Sequence, residues 1–507
     1  MKHRRTLETP PGREIGKWLL PALSVLLIAP ILWVQYPPMA DLPQHAAQIS
    51  VLLDWNEAEP PRSETYRIDL LTPYLLAYGL AWLLAQVMPL AWALKLLVSA
   101  ALLAFPWAVG RLVRRVGGPD ESYWLAFPLA LSYSFHWGFL NYLLATPLIV
   151  LFVELCVVHG ERPTRKTTAW VALGSVGLFF CHAILGGLAG LIGGGLVALR
   201  MGLRSGLPRL IAALGPFAAP IPFLLPWLTG LRSDMPTYGH DFVWNLGVHR
   251  LGDLLTQVAG WSSSPLHLGI GLAVLVLPFV LGARPSHEAW RWWPFACCCA
   301  LGLFWPELFL TTSRVAGRFA VFLLPFLLLA CRRATEPRRR HATLICGALA
   351  AMLLLAQAAN TYSWQQQTRT FHTVLEQMPA GKSVLALIFL GGNHVSPAPV
   401  NSSMVHWYLV EKDGIRVDPA LIDRFPFVVR YREEELPDLP HGFSWRVHEF
   451  DWHRHGGARY DLFVILAPRD VSSRLFPPGT TEFVGRAGSW YLYRRTRDPM
   501  PQDDTVG

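Results

Sequence analysis

The run Trp18-Leu19-Leu20-Pro21-Ala22-Leu23-Ser24-Val25-Leu26-Leu27-Ile28-Ala29-Pro30-Ile31-Leu32-Trp33-Val34, closed by Gln35-Tyr36-Pro37-Pro38-Met39-Ala40-Asp41-Leu42-Pro43-Gln44-His45, decides how this chain is read. An uncharged segment of this length satisfies its backbone hydrogen bonds internally as a helix and can cross a hydrocarbon core of about 30 Å. Lys2, Arg4, Arg5, Arg13 and Lys17 precede it and no small-residue cleavage site follows, so the expectation is an uncleaved first span with a cytoplasmic N-terminus. The prolines then stop the helix, and Asp41 and His45 stand four residues apart at the start of an aqueous loop. Asp41 has two readings: a cap on a short amphipathic helix, or a carboxylate at the chemical end of a membrane enzyme.

The rest of the composition agrees with a membrane chain. Of 507 residues, 52% are hydrophobic and 16% charged, and apolar runs recur at bilayer length. The net charge of +9 is uneven: residues 361–507 hold 16 Lys/Arg against 17 Asp/Glu, which leaves the excess in the short loops of residues 1–360. That distribution is the signature of membrane orientation, not of nucleic-acid binding. The seven cysteines (Cys156, Cys181, Cys297, Cys298, Cys299, Cys331, Cys346) all lie in or beside apolar runs and show neither a disulfide framework nor zinc spacing.

Arginine-rich loops set the register. Arg111–Arg115, Arg162–Lys166, Arg200–Arg209, Arg284–Arg291 and Arg332–Arg340 are placed in the cytoplasm, which predicts about eleven spans, the last at Thr343–Ala359. Residues 70–88 then lie in the outer interface or re-enter without crossing. The expected fold is a polytopic α-helical membrane domain over residues 1–360, followed by a soluble extracytoplasmic α/β or α+β domain over 361–507. In the latter, Trp364–Met378 reads as a helix, and Val384–Leu390, Phe427–Tyr431, Ser444–Phe450, Asp461–Ala467 and Ser489–Arg494 read as strands.

With this topology the chemically unusual residues gather on the outer side: Asp41, His45, His136, Asn141, His182, His240, Asp241, Arg314 and Arg318. Ionisable groups at membrane level are costly and mark function or a fixed partner. His136 beside Trp137 also fits an interfacial belt, His182 a satisfied buried histidine, and His240-Asp241 a solvated loop. Arg314 and Arg318, four residues apart in an outward loop, suit a phosphate, and a structural ion pair to Asp41 is the competing account. Together these groups could move a sugar from a lipid-linked phosphate: a carboxylate as base on an acceptor hydroxyl, and arginines on the leaving phosphate.

This pattern resembles the GT-C superfamily of polytopic membrane glycosyltransferases, which use polyprenyl-linked donors. The likeness rests on Asp41 within Ala40-Asp41-Leu42-Pro43-Gln44-His45, the interfacial stretch after it, Gly138-Phe139-Leu140-Asn141-Tyr142, Arg318-Phe319 near a late span, and the outer domain after the last helix. The resemblance implies Asp41 as the catalytic carboxylate and Arg314 and Arg318 as phosphate contacts; His45, His136, Asn141, His182 and His240 are the further candidates for binding substrate or donor. Where many members carry a second acidic residue in the next outer loop, this chain offers His136 and Asn141. The sequence therefore assigns no metal ligand, and a divalent cation stays open as cofactor. The expected partners are a lipid-linked sugar donor, membrane lipid and an acceptor the sequence does not identify, in a bacterial inner membrane. A transporter or flippase of a lipid-linked substrate, and a non-enzymatic assembly partner, are the rival classes.

Overall fold

The structure is a computed structural model that describes residues 11–202, 206–234, 242–259, 265–309, 312–313, 315–333, 336–392, 396, 398–420, 427–440 and 442–496. Within them, five helices are long and apolar enough to cross a membrane: Gly16–Trp33, Leu90–Arg115, Leu140–Glu161, Ala183–Met201 and Arg340–Gln377. The pair Leu207–Ala218 and Ile221–Gly230, bent by 46°, makes six if it counts as one span. The protein is a multi-pass membrane protein with a soluble part.

The expectation of about eleven spans is therefore wrong, and the reason is geometric. An α-helix rises about 1.5 Å per residue, so the 16-residue helices Pro265–Val280 and Ala289–Phe304 reach only about 24 Å, short of a hydrocarbon core. The apolar run Trp124–Phe135, one of the eleven counted, is broken into the 3-10 turn Tyr123–Leu125 and the short helices Ala126–Ala130 and Tyr133–Trp137. The run expected at Ala320–Ala330 begins as the 3-10 segment Ala316–Phe322 before the helix Leu323–Ala330. Hydropathy alone does not distinguish a span from a short helix buried against other helices.

The C-terminal part departs from the expected α/β or α+β domain as well. One helix, Glu336–Gln377, runs unbroken from the membrane part into it. The sheet beyond is open, in the order Thr481–Ala487, Trp490–Arg495, Leu462–Leu466, Ser383–Ile388, Arg416–Asp418. Leu462–Leu466 runs parallel to Ser383–Ile388 and antiparallel to Trp490–Arg495. Ser444–Phe450, expected as a strand, forms two 3-10 turns instead. Five or six spans with an open sheet are not the GT-C architecture, and that resemblance does not hold.

Two central strands, Ser-Val-Leu-Ala-Leu-Ile and Leu-Phe-Val-Ile-Leu, are buried at every position, as strands covered on both faces require. Side chains alternate between the faces. Val384, Ala386, Val464 and Leu492 join the large core shared with the helices, while Leu385, Leu387, Phe463 and Ile465 join a second core with Phe443, Trp452 and Phe476. A separate strand, Tyr66–Ile68, pairs antiparallel with Val429–Tyr431, so a loop of the N-terminal half is woven into the C-terminal part.

Candidate functional site

Asp41 begins the helix Leu42–Leu53, and that helix is held from both sides. On one side the Ala40 N–H donates to the His136 carbonyl at 3.0 Å and the Asp41 N–H to the Trp137 carbonyl at 2.9 Å. The turn that makes this approach possible is Gly138. Its φ is +76°, and a Cβ there would lie 2.8 Å from the backbone nitrogens of both Asp41 and Leu42. Gly138→Ala is therefore expected to lower stability by about 1–3 kcal/mol and to displace the Asp41 loop. A thermal melt of the detergent-solubilised variant checks this, and an unchanged midpoint would show that the turn is not constrained.

On the other side the helix meets the C-terminal part. Gln44 Nε2 donates to Ser403 Oγ at 2.9 Å and Ser50 Oγ to the Leu409 carbonyl at 3.3 Å. Nearby, Tyr36 OH donates to Glu411 at 2.7 Å, and Trp364 Nε1 to the Tyr36 carbonyl at 2.7 Å. The helix is thus wedged between the membrane part and the soluble part.

The Asp41 side chain makes no capping hydrogen bond, although it occupies the cap position. The helix does not use this carboxylate. Asp41 is surrounded by protein but keeps some accessible surface. Burial raises its pKa to about 7, and the Arg318 charge opposes the shift. His45, one turn on, places Nδ1 2.7 Å from Tyr78 OH. Burial lowers its pKa to about 4 against a backbone hydrogen bond at Gly138, so the ring is neutral at pH 7. With the Gly138 carbonyl accepting from one ring nitrogen, Nδ1 accepts from the Tyr78 hydroxyl.

Arg318 is buried, its guanidinium carbon 3.9 Å from the Phe139 ring centroid, and its carbonyl accepts from Tyr142 OH at 2.5 Å. Its charge acts on Asp41, Tyr74 and His182. His182 sits between the helices Arg165–Cys181 and Ala183–Met201, with Tyr74 and Tyr142 edge-on at 5.5 and 5.4 Å. Phe427 of the C-terminal part packs on Tyr74 at 5.4 Å and on His45 at 6.3 Å. The fold thus brings Asp41, His45, His182 and Arg318 into one neighbourhood, lined by tyrosines.

The His136 ring lies 3.1 Å from Gln357 Nε2 and 3.4 Å from Ser396 Oγ, so this residue supports the Asp41 loop through its backbone. Asn141 is 2% exposed, and neither atom of its amide has a hydrogen-bond partner among the described residues. His240, Asp241 and Arg314 lie outside the described residues. Among the described residues no group of three or more His, Cys, Asp or Glu is arranged to hold a metal ion.

Sequence reasoning missed Tyr74, Tyr78 and Phe427. The first two stand four residues apart at the start of residues 70–88, a spacing that puts two hydroxyls on one helical face. Phe427 carries no local signal, because its place depends on a contact between distant parts of the chain.

No family model and no curated protein matches the chain. The geometry carries the functional argument alone.

Proposed function

We propose that this protein transfers a sugar from a polyprenyl-phosphate-linked donor to a hydroxyl acceptor at the membrane surface. One observation carries the reading: a carboxylate that its own helix leaves uncapped, with a pKa near neutrality, in the field of a buried arginine. A base of this kind is poised to work at pH 7. Asp41 takes the proton of the acceptor hydroxyl as its oxygen attacks the anomeric carbon. The bond from that carbon to the phosphate oxygen breaks, and polyprenyl phosphate leaves with its charge against Arg318. His182, whose Nδ1 has no hydrogen-bond partner among the described residues, supplies a hydrogen bond that orients the substrates, and neutral His45, held by Tyr78, shapes the site. The chain acts in a bacterial inner membrane, with the Asp41 end and residues 361–507 outside.

Transport of a lipid-linked substrate has less support. Of the charged residues near the spans, Glu154 is paired with Arg111 at 3.0 Å and Glu307 with Arg250 at 3.5 Å, and Lys95 lies over the Trp92 ring. These contacts tie the charges to local partners and do not line a path.

The test is sugar transfer from polyprenyl-phosphate-linked donors by the purified protein in liposomes. Arg318→Ala is expected to lower kcat by about 100-fold while the protein stays folded. Absence of transfer by the wild type from any such donor, or full activity of the variant, would overturn the reading.

A further inference from the structure

The two 3-10 turns Phe443–Trp445 and Val447–Glu449 send most of their apolar side chains inward and one outward. Phe443 and Val447, with Phe450 just beyond, are buried in the second core of the C-terminal part. Trp445 lies between them in sequence and is 62% exposed. The backbone that presents it is fixed: the Trp445 N–H donates to the Gly442 carbonyl at 3.0 Å and the Arg446 N–H to the Phe443 carbonyl at 2.7 Å.

This indole is the outer end of an aromatic row that leads to the candidate site. Its centroid lies 6.3 Å from that of Trp137, Trp137 stacks on Phe139 at 5.9 Å, and the Arg318 guanidinium carbon lies 3.9 Å from the Phe139 centroid. Trp137 is also the residue whose carbonyl accepts from the Asp41 N–H. Two rings thus separate the exposed indole from Arg318, and one of them belongs to the residue that holds the Asp41 backbone. Polar side chains flank the indole. Arg446 and Glu449, both exposed, pair at 3.5 Å, and His448 is exposed beside them.

We propose that Trp445 is a platform for a sugar ring of the acceptor, which makes the acceptor a saccharide or a glycoconjugate. A sugar ring offers a face of C–H groups and a rim of hydroxyls. The C–H face suits the electron-rich face of an indole. The rim hydroxyls suit charged partners that both donate and accept, as Arg446 and Glu449 do. A hydrocarbon chain would match the indole but not the carboxylate beside it. The role as acceptor platform rests on Asp41 and Arg318 carrying out sugar transfer, whereas saccharide binding at Trp445 does not require it.

Saturation-transfer NMR of the purified full chain in phosphatidylcholine nanodiscs reads the binding. The probes are short oligosaccharides of glucose, mannose and N-acetylglucosamine. At least one should show transfer to its ring C–H protons, Trp445→Ala should reduce that signal at least fivefold, and Trp445→Phe should keep most of it. In the transfer assay, Trp445→Ala should raise the acceptor KM at least tenfold and leave kcat within about twofold, as loss of binding away from the reacting atoms requires. No binding of any probe, equal binding by Trp445→Ala, or an unchanged KM would overturn the proposal. So would a Trp445→Cys thiol that a water-soluble maleimide labels in detergent but not in nanodiscs, because the membrane would then cover this position. Binding that depends on Trp445 in a protein that transfers no sugar would retain the saccharide site and overturn only the transferase reading.

Discussion

Asp41→Asn is expected to reduce sugar transfer by about 100- to 10,000-fold, the range set by removal of a general base, and to leave the protein at least as stable as wild type at pH 7.5. The second half follows from linkage. Burial raises the folded-state pKa of Asp41 from 3.8 to about 7. A folded protein that binds the proton more tightly than the unfolded chain gains stability from this group below pH 3.8. It loses that stability progressively as pH rises to about 7. The ionised carboxylate is thus carried at a cost in the working range, and a neutral amide of the same shape removes it. Wild-type activity should rise with pH, reach half its maximum near the raised pKa and level off above it. Rate–pH profiles and melting curves of the two proteins check both halves. A variant that is fully active, or inactive only because it is unfolded, would sink the assignment of Asp41 as base.

Asp418→Ala is expected to destabilise the fold by about 3–5 kcal/mol, the usual penalty for removing one partner of a buried ion pair. Asp418 is 0% exposed and holds Arg416 through Nη2 at 2.7 Å and Nε at 2.8 Å. It also accepts from Tyr431 OH and Tyr460 OH, both at 3.0 Å. Among the described residues, truncation leaves a buried guanidinium hydrogen-bonded to the carbonyl and carboxylate of Glu435, at 3.1 and 3.4 Å, over the Tyr431 ring. The loss should spread to the candidate site. Residues 416–418 edge the sheet, and the Gly414 and Ile415 carbonyls just before them accept from Arg62 and Tyr66 of the N-terminal half. Replacing both charges together, as Arg416→Leu with Asp418→Leu, should recover much of the loss, because the desolvation penalty goes with them. Denaturant unfolding of the detergent-solubilised protein measures this. A single variant within about 1 kcal/mol of wild type, the value of an exposed pair, would show that the pair is solvated.

Much of the candidate site was legible in the sequence because its parts violate a local rule. Asp41 and His45 interrupt an apolar region, Arg318 stands at the start of an apolar run, and His182 breaks two apolar runs. Each is expensive at membrane level, and cost is a property that one residue and its neighbours reveal. His136 carries the same signal, but its ring meets Gln357 and Ser396, since a buried polar side chain is equally compatible with bracing a loop. Gly138-Phe139-Leu140-Asn141-Tyr142 stands out in the sequence, but its role depends on which loop rests against it.

By itself the sequence determined that the chain is a multi-pass membrane protein with a soluble part, because hydrophobic length and the clustering of arginines are read residue by residue. It did not determine how many runs cross, since an apolar helix of 16 residues and a spanning one read alike in hydropathy and differ in where the helix ends and in what surrounds it. It also could not distinguish a free-standing C-terminal domain from the observed arrangement. There a 42-residue helix continues from the membrane part, and the strand Tyr66–Ile68 pairs with Val429–Tyr431. Those contacts join residues more than three hundred positions apart. They arise because the helix that begins at Asp41 has two faces to bury, and only the tertiary structure supplies both surfaces.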